Sequence, residues 1–157
     1  MYEYKCKVLR VVDGDTVDVD IDLGFGIVLS DERVRIMGID TPESRTRDKV
    51  EKLFGKASKH RLESLLGKVA ILKTQINKDG EDMKGKFGRV LGDFVTEDGR
   101  MATEVMISEG HCVPYFGGSK EEVQAQHMNN RAKLISEGVV TQQQVDEAEM
   151  ENKKKAR

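Results

Sequence analysis

The feature that most constrains this chain is the run VVDGDTVDVDIDL at residues 11–23, where β-branched residues alternate with aspartates. A period of two suits a strand with one buried and one wet face, because successive side chains leave a strand on opposite sides. Val17, Val19, Ile21 and Leu23 are then expected to face a core, and Asp18, Asp20 and Asp22 to face water. An EF-hand loop starting at Asp18 is excluded, since Leu23 stands where that loop needs glycine and Leu29 where it needs glutamate. Asp15 has the other parity. It falls at the rim of the core, where a carboxylate requires a cation or hydrogen-bond donors. Asp13 and Gly14 form the turn that delivers it.

Residues 5–12, 16–23, 33–39, 69–75 and 89–95 are short, rich in Val and Ile, and bounded by Gly, Asp or Lys, which predicts five strands. Apolar residues at helical spacing over 49–66, with Gly67 following, predict a first helix. A second covers 101–109, and a third starts at the capping box Ser119-x-x-Glu122 and runs to about residue 137. Thr141-x-x-Gln144 offers a fourth start. Residues 138–157, nearly devoid of large apolar side chains and ending in NKKKAR, are expected to be a polar tail, helical or frayed, beyond a domain covering 1–137. Three strands, a helix, two strands and two helices make an α+β chain whose sheet suits a small barrel.

Charge is balanced overall, 26 basic against 28 acidic residues, so nothing global marks a nucleic-acid binder. Locally it is not balanced: residues 45–61 hold seven cations against Asp48 and Glu51. No apolar run resembles a signal peptide or membrane span, and Cys6 and Cys112 lack metal-type spacing. Reduced thiols and a cytoplasmic setting are the expectation.

A second acidic cluster lies in RVRIMGIDTPES. Pro42 holds Thr41 extended and cannot donate a hydrogen bond, which presents the Thr41 carbonyl beside Asp40. Glu43 follows, and Arg35 stands five residues before Asp40. Such a set suits a hard cation beside a phosphate; it equally suits a surface loop with an ion pair, and spacing does not choose between them.

VVDGDTV, RVRIMGIDTPES, VEKLFGKAS and KFGR together resemble the staphylococcal nuclease (thermonuclease) family, in that family's order, over about residues 5–137. The resemblance implies a five-stranded OB-fold barrel with three helices, matching the element count. It implies one Ca²⁺ held by Asp15, Asp40 and the Thr41 carbonyl, Glu43 as base or organiser of the attacking water, and Arg35 and Arg89 on the scissile phosphate. The implied activity is calcium-dependent hydrolysis of DNA and/or RNA by a monomer without membrane contact, leaving 3′-phosphate and 5′-hydroxyl ends. Phe87 stands where the family often has Tyr, so a hydroxyl contact is lost while a ring remains for packing or base stacking. The segment LGFGIVLSDER, between strands two and three, is longer than in the family's type member.

Lys86, beside FGR, is a candidate phosphate contact, and Tyr115 and Phe116 are candidates for base stacking or packing. Lys49, Lys52, Lys56 and Lys59, with Arg45 and Arg47, form either a solvated face or a phosphate track. His60, His111 and His127 have no carboxylate partner in sequence and are assigned surface or packing roles. The alternative to an enzyme is a non-catalytic OB-fold module binding nucleic acid or protein. Such a module has no need of three carboxylates beside a polyanion, which repel it unless a cation intervenes.

Overall fold

A computed structural model describes residues 2–75, 88–115 and 118–155. Strands β1 (Glu3–Asp13), β2 (Thr16–Gly24) and β3 (Ile27–Ile36) come first, followed by a short β4 (Ile39–Asp40) and helix α1 (Lys49–Leu66). Then come β5 (Val69–Thr74), β6 (Val90–Val95), α2 (Ala102–Glu109), a short β7 (Val113–Pro114), α3 (Lys120–Ser136) and α4 (Gln142–Lys155). Five strands close a barrel in the order β1-β2-β3-β6-β5, all pairs antiparallel except β3 with β6. This is the OB-type α+β architecture expected, with four helices where three were expected.

Strand parity sorts the core. Val17, Val19 and Ile21 are fully covered, packed with Val34, Ile36, Leu72 and Phe94 from the barrel and Leu62, Leu66 and Met106 from the helices. Leu23 is 38% exposed, because β2 and β3 outgrow the barrel there. The connection expected between 23 and 33 is instead a hairpin: Ile21 pairs with Leu29, Asp22 with Val28 and Gly24 with Ile27. The β-branched stretch from Ile27 extends the strand, and only Phe25 and Gly26 turn.

Asp18 is the second departure. It points outward as its parity requires, yet it is only 2% exposed. Register explains this, since Arg10 and Arg33 are its direct partners on the neighbouring strands. Arg10 Nε lies 2.7 Å from one carboxylate oxygen; Arg33 donates from Nε at 2.8 Å and from Nη2 at 3.1 Å. The Arg33 hydrogen bonds, with the charges of Arg33 and Arg10, hold this carboxyl below its ordinary value against the opposing effect of burial.

The chain's last segment is the third. Residues 142–155 form α4, and Val140, Val145 and Ala148 bury against Val50 and Phe54 of α1 and Leu134 of α3. Asn152 fastens the contact: its side chain accepts from Lys49 N at 2.9 Å and donates to the N-cap carboxylate of Asp48 at 3.1 Å. Two apolar residues one helical turn apart suffice once α1 supplies the other half of the interface. No helix among the described residues is long and apolar enough to cross a membrane.

Candidate active site

Helix α1 is the platform on which the two acidic segments rest. Its N-cap is Asp48, whose carboxylate accepts from Val50 N and Glu51 N. About two turns along, Gly55 has the backbone of Glu43 and Ser44 against it: a Cβ there would stand 2.3 Å from the Glu43 carbonyl oxygen. At the next turn Ser58, fully buried, meets Gly14, where an added Cβ would lie 2.1 Å from the Ser58 hydroxyl and 3.3 Å from a Thr41 methyl. The glycines in VEKLFGKAS and VVDGDTV thus have one purpose, to let both acidic turns press onto the same helix and onto each other.

Between those turns lies Arg35. Its Nη2 is 3.2 Å from an Asp15 carboxylate oxygen and 3.3 Å from the carbonyl of Ile39, the residue before Asp40. Asp15 also accepts from the Thr16 hydroxyl at 2.8 Å, and its own carbonyl receives Ile36 N at 2.8 Å. Asp40 is held by β4, which pairs with β7, and Tyr115 N donates to the Gly38 carbonyl at 2.9 Å. Tyr115 is thereby fixed beside the Asp40 strand with its ring about half exposed.

His127, for which the sequence predicts a surface or packing role, is instead a partner of Asp40. From α3 its Nε2 lies 2.6 Å from Asp40 Oδ2, with the imidazole 10% exposed. A carboxylate only accepts, so Nε2 carries the proton. Residues 40 and 127 are too far apart in sequence for any motif to have paired them.

The carboxylates make a negative field felt by their neighbours. Burial pushes the Cys112 thiol up to about 12, with Asp93, Asp15 and Asp40 adding to the rise. Glu51 is raised by burial first, then by the charges of Glu43 and Asp48. Glu43 itself is exposed, with its backbone against Gly55 of α1. Asp93, raised by its burial, accepts a hydrogen bond from Thr103 at 2.5 Å.

Arg89 immediately precedes β6, whose Val90 pairs with Val34 of β3. It lines a cavity of about 420 Å³ together with Asp13, Thr16, Arg33 and Arg45. Asp13 also accepts from the Ser44 hydroxyl, tying the first acidic turn to the second. Lys86, Phe87 and Phe116 lie outside the described residues.

The donor set suits a hard divalent ion: two carboxylates and a peptide carbonyl, all oxygen. Among the described residues no three His, Cys, Asp or Glu side chains group as a metal cage. The protein would therefore supply part of a coordination sphere, with water and substrate oxygens as the remainder. Arg35 and His127 each engage a carboxylate from one side, as partners that orient metal ligands do.

Residues 33–139 match the family model described as staphylococcal nuclease homologue. The chain is 30% identical over 122 residues to endonuclease YhcR of Bacillus subtilis (strain 168), covering 73% of this chain and 9% of that protein. Against an uncharacterized endonuclease of Escherichia coli it is 28% identical over 109 residues, 69% of this chain and 60% of the relative. Against the thermonuclease of Staphylococcus intermedius it is 36% identical over 84 residues, 54% and 44% respectively. The matched stretch spans less than two thirds of each of these relatives.

Proposed function

The chain belongs to the staphylococcal nuclease homologue family, and on that premise we propose that it is a nuclease hydrolysing phosphodiester bonds of DNA and/or RNA. The observation that carries this reading is Arg35, bonded at once to Asp15 and to the carbonyl preceding Asp40. One guanidinium joins both acidic segments, beside a cavity whose lining includes Arg33, Arg45 and Arg89. Carboxylates so placed repel a phosphate unless a cation stands between them, which argues for an ion as part of the working site.

Asp15, Asp40 and the Thr41 carbonyl are the residues that would hold Ca²⁺. Bound there, the ion would neutralise charge on the phosphate and polarise its oxygens. Glu43 takes a proton from the attacking water as its oxygen bonds to phosphorus. The 5′-oxygen leaves on the opposite side and is protonated from solvent, giving a 3′-phosphate and a 5′-hydroxyl. Arg35 and Arg89 donate to the phosphoryl oxygens as negative charge builds, which a fixed guanidinium does better than water. Lys86 contacts phosphate, and Phe87 and Tyr115 present rings to the nucleotide.

The test is single-turnover cleavage beside equilibrium binding for wild type, Arg35→Lys and Arg89→Lys. Lysine keeps the charge and loses the two-pronged geometry, so the rate should fall on the order of 10²–10⁵-fold while binding weakens far less. Equal loss of rate and binding would assign these arginines to substrate capture. Wild type that binds and never cleaves would favour a non-catalytic OB module.

A further inference from the structure

Beyond the candidate site, α1 and the loop before it carry cations that no ion pair among the described residues consumes. A cleft of about 490 Å³ is lined by Arg45, Arg47, Lys52, Lys56 and Lys59 and, among the described residues, by no acid. None of the five pairs with a carboxylate among the described residues, whereas Arg10, Arg33, Arg35, Arg61 and Arg100 each do. Lys52, Lys56 and Lys59 recur at i, i+4 and i+7, so they share one helix face over about 10 Å of axis. This cleft adjoins the cavity that holds Arg89, because Val12 and Arg45 line both. Across the helix, α4 sets Glu147 and Glu151 opposite Lys49, Lys52 and Lys56 and so bounds the positive surface on that side.

A chain of net charge −2 that gathers in one cleft five cations unpaired among the described residues focuses its positive potential there. We propose that the cleft is a track for the phosphate backbone of a nucleic-acid strand, on which the substrate continues for several nucleotides past the scissile bond. Calling the strand a substrate rests on the nuclease reading above; the track as a binding surface does not. Its recognition is electrostatic and indifferent to base sequence, since phosphates are what lysines at helical spacing can reach.

Fluorescence anisotropy on the full chain in chelator tests this, with a labelled trinucleotide and a DNA strand of about 20 nucleotides, longer than a usual single-strand site. Each single-strand phosphate contact contributes about 0.7 to the salt slope, hence about fivefold in affinity near 0.1 M salt. The variant K52Q/K56Q/K59Q should therefore bind the long strand on the order of 10²-fold more weakly, with a slope reduced by about 2, and the trinucleotide little changed. R47Q, which lines the cleft and not the Arg89 cavity, repeats the test on the loop, leaving α1 intact, with a slope loss of about 0.7. Unchanged slope and affinity in folded variants, or equal weakening of both probes, would overturn the track. Wild type that holds the long strand but cleaves nothing once Ca²⁺ is restored would overturn the nuclease reading and leave the track standing.

Discussion

Replacing Asp18 by Asn removes the charge at the centre of an Arg–Asp–Arg row that spans three strands. Two limits bracket the effect. Breaking a buried pair costs about 3–5 kcal/mol, and losing an exposed one costs about 0–1 kcal/mol. The Asp18 side chain is 3% exposed, but Arg10 and Arg33 are 54% and 49% exposed, so water recovers part of what they lose. Arg10 also keeps Asp31 at 2.6 Å. Asparagine retains the shape and one acceptor oxygen, which places the expected loss near 2 kcal/mol rather than at the buried limit. Urea unfolding followed by circular dichroism should show the midpoint falling by about 1 M at a slope of 1–3 kcal/mol/M. The sign with pH follows from the lowered folded value: the contribution is full above the ordinary carboxylate value of 3.8 and disappears as pH falls through the folded one. Wild type and variant should therefore converge in acid. A neutral-pH difference below about 0.5 kcal/mol, the size of an ordinary surface change, would show that the Arg–Asp–Arg row contributes no more than an exposed pair. A difference that persists undiminished in acid would show that the loss does not come from the Asp18 charge.

Gly55→Ala sets intrinsic propensity against packing: alanine favours a helix interior by about 1 kcal/mol, but its Cβ meets the Glu43 backbone at 2.3 Å. Lower thermal stability and slower cleavage are expected, and a stabilised, fully active variant would contradict the platform role of α1. His127→Gln should loosen Asp40 and weaken Ca²⁺ binding, read by titration calorimetry, by about 10–100-fold with the fold unchanged, whereas unaltered affinity would reduce this contact to packing.

Local signals were legible where they were self-contained. The apolar spacing of α1 and the parity of Val17, Val19 and Ile21 need no partner to be read. The start of β3 was missed because Ile27–Leu29 precede polar residues that look like a loop until β2 pairs with them. Helix α4 looks solvated in sequence because Val145 and Ala148 bury against residues of α1 and α3, among them Val50, Phe54 and Leu134, and a face supplied from elsewhere leaves no trace in α4's own sequence. In the site, Asp15, Arg35 and Asp40 lie in motifs dense enough to suggest one centre. The two long-range partners could not be seen this way: Asp18 needed strand register, and His127 reaches Asp40 only through the docking of α3.

On the proposed function, Asp15, Arg35, Asp40, Glu43 and Arg89 form one ion-dependent phosphodiesterase centre. Its most direct test is cleavage of labelled single-stranded DNA by the purified chain with Ca²⁺ and after exhaustive chelation, beside an Asp40→Ala variant. Products ending in 3′-phosphate are expected with Ca²⁺, none with chelator, and a loss of rate in the variant on the order of 10² or more. Undiminished cleavage after chelation, or by Asp40→Ala, would contradict such a centre.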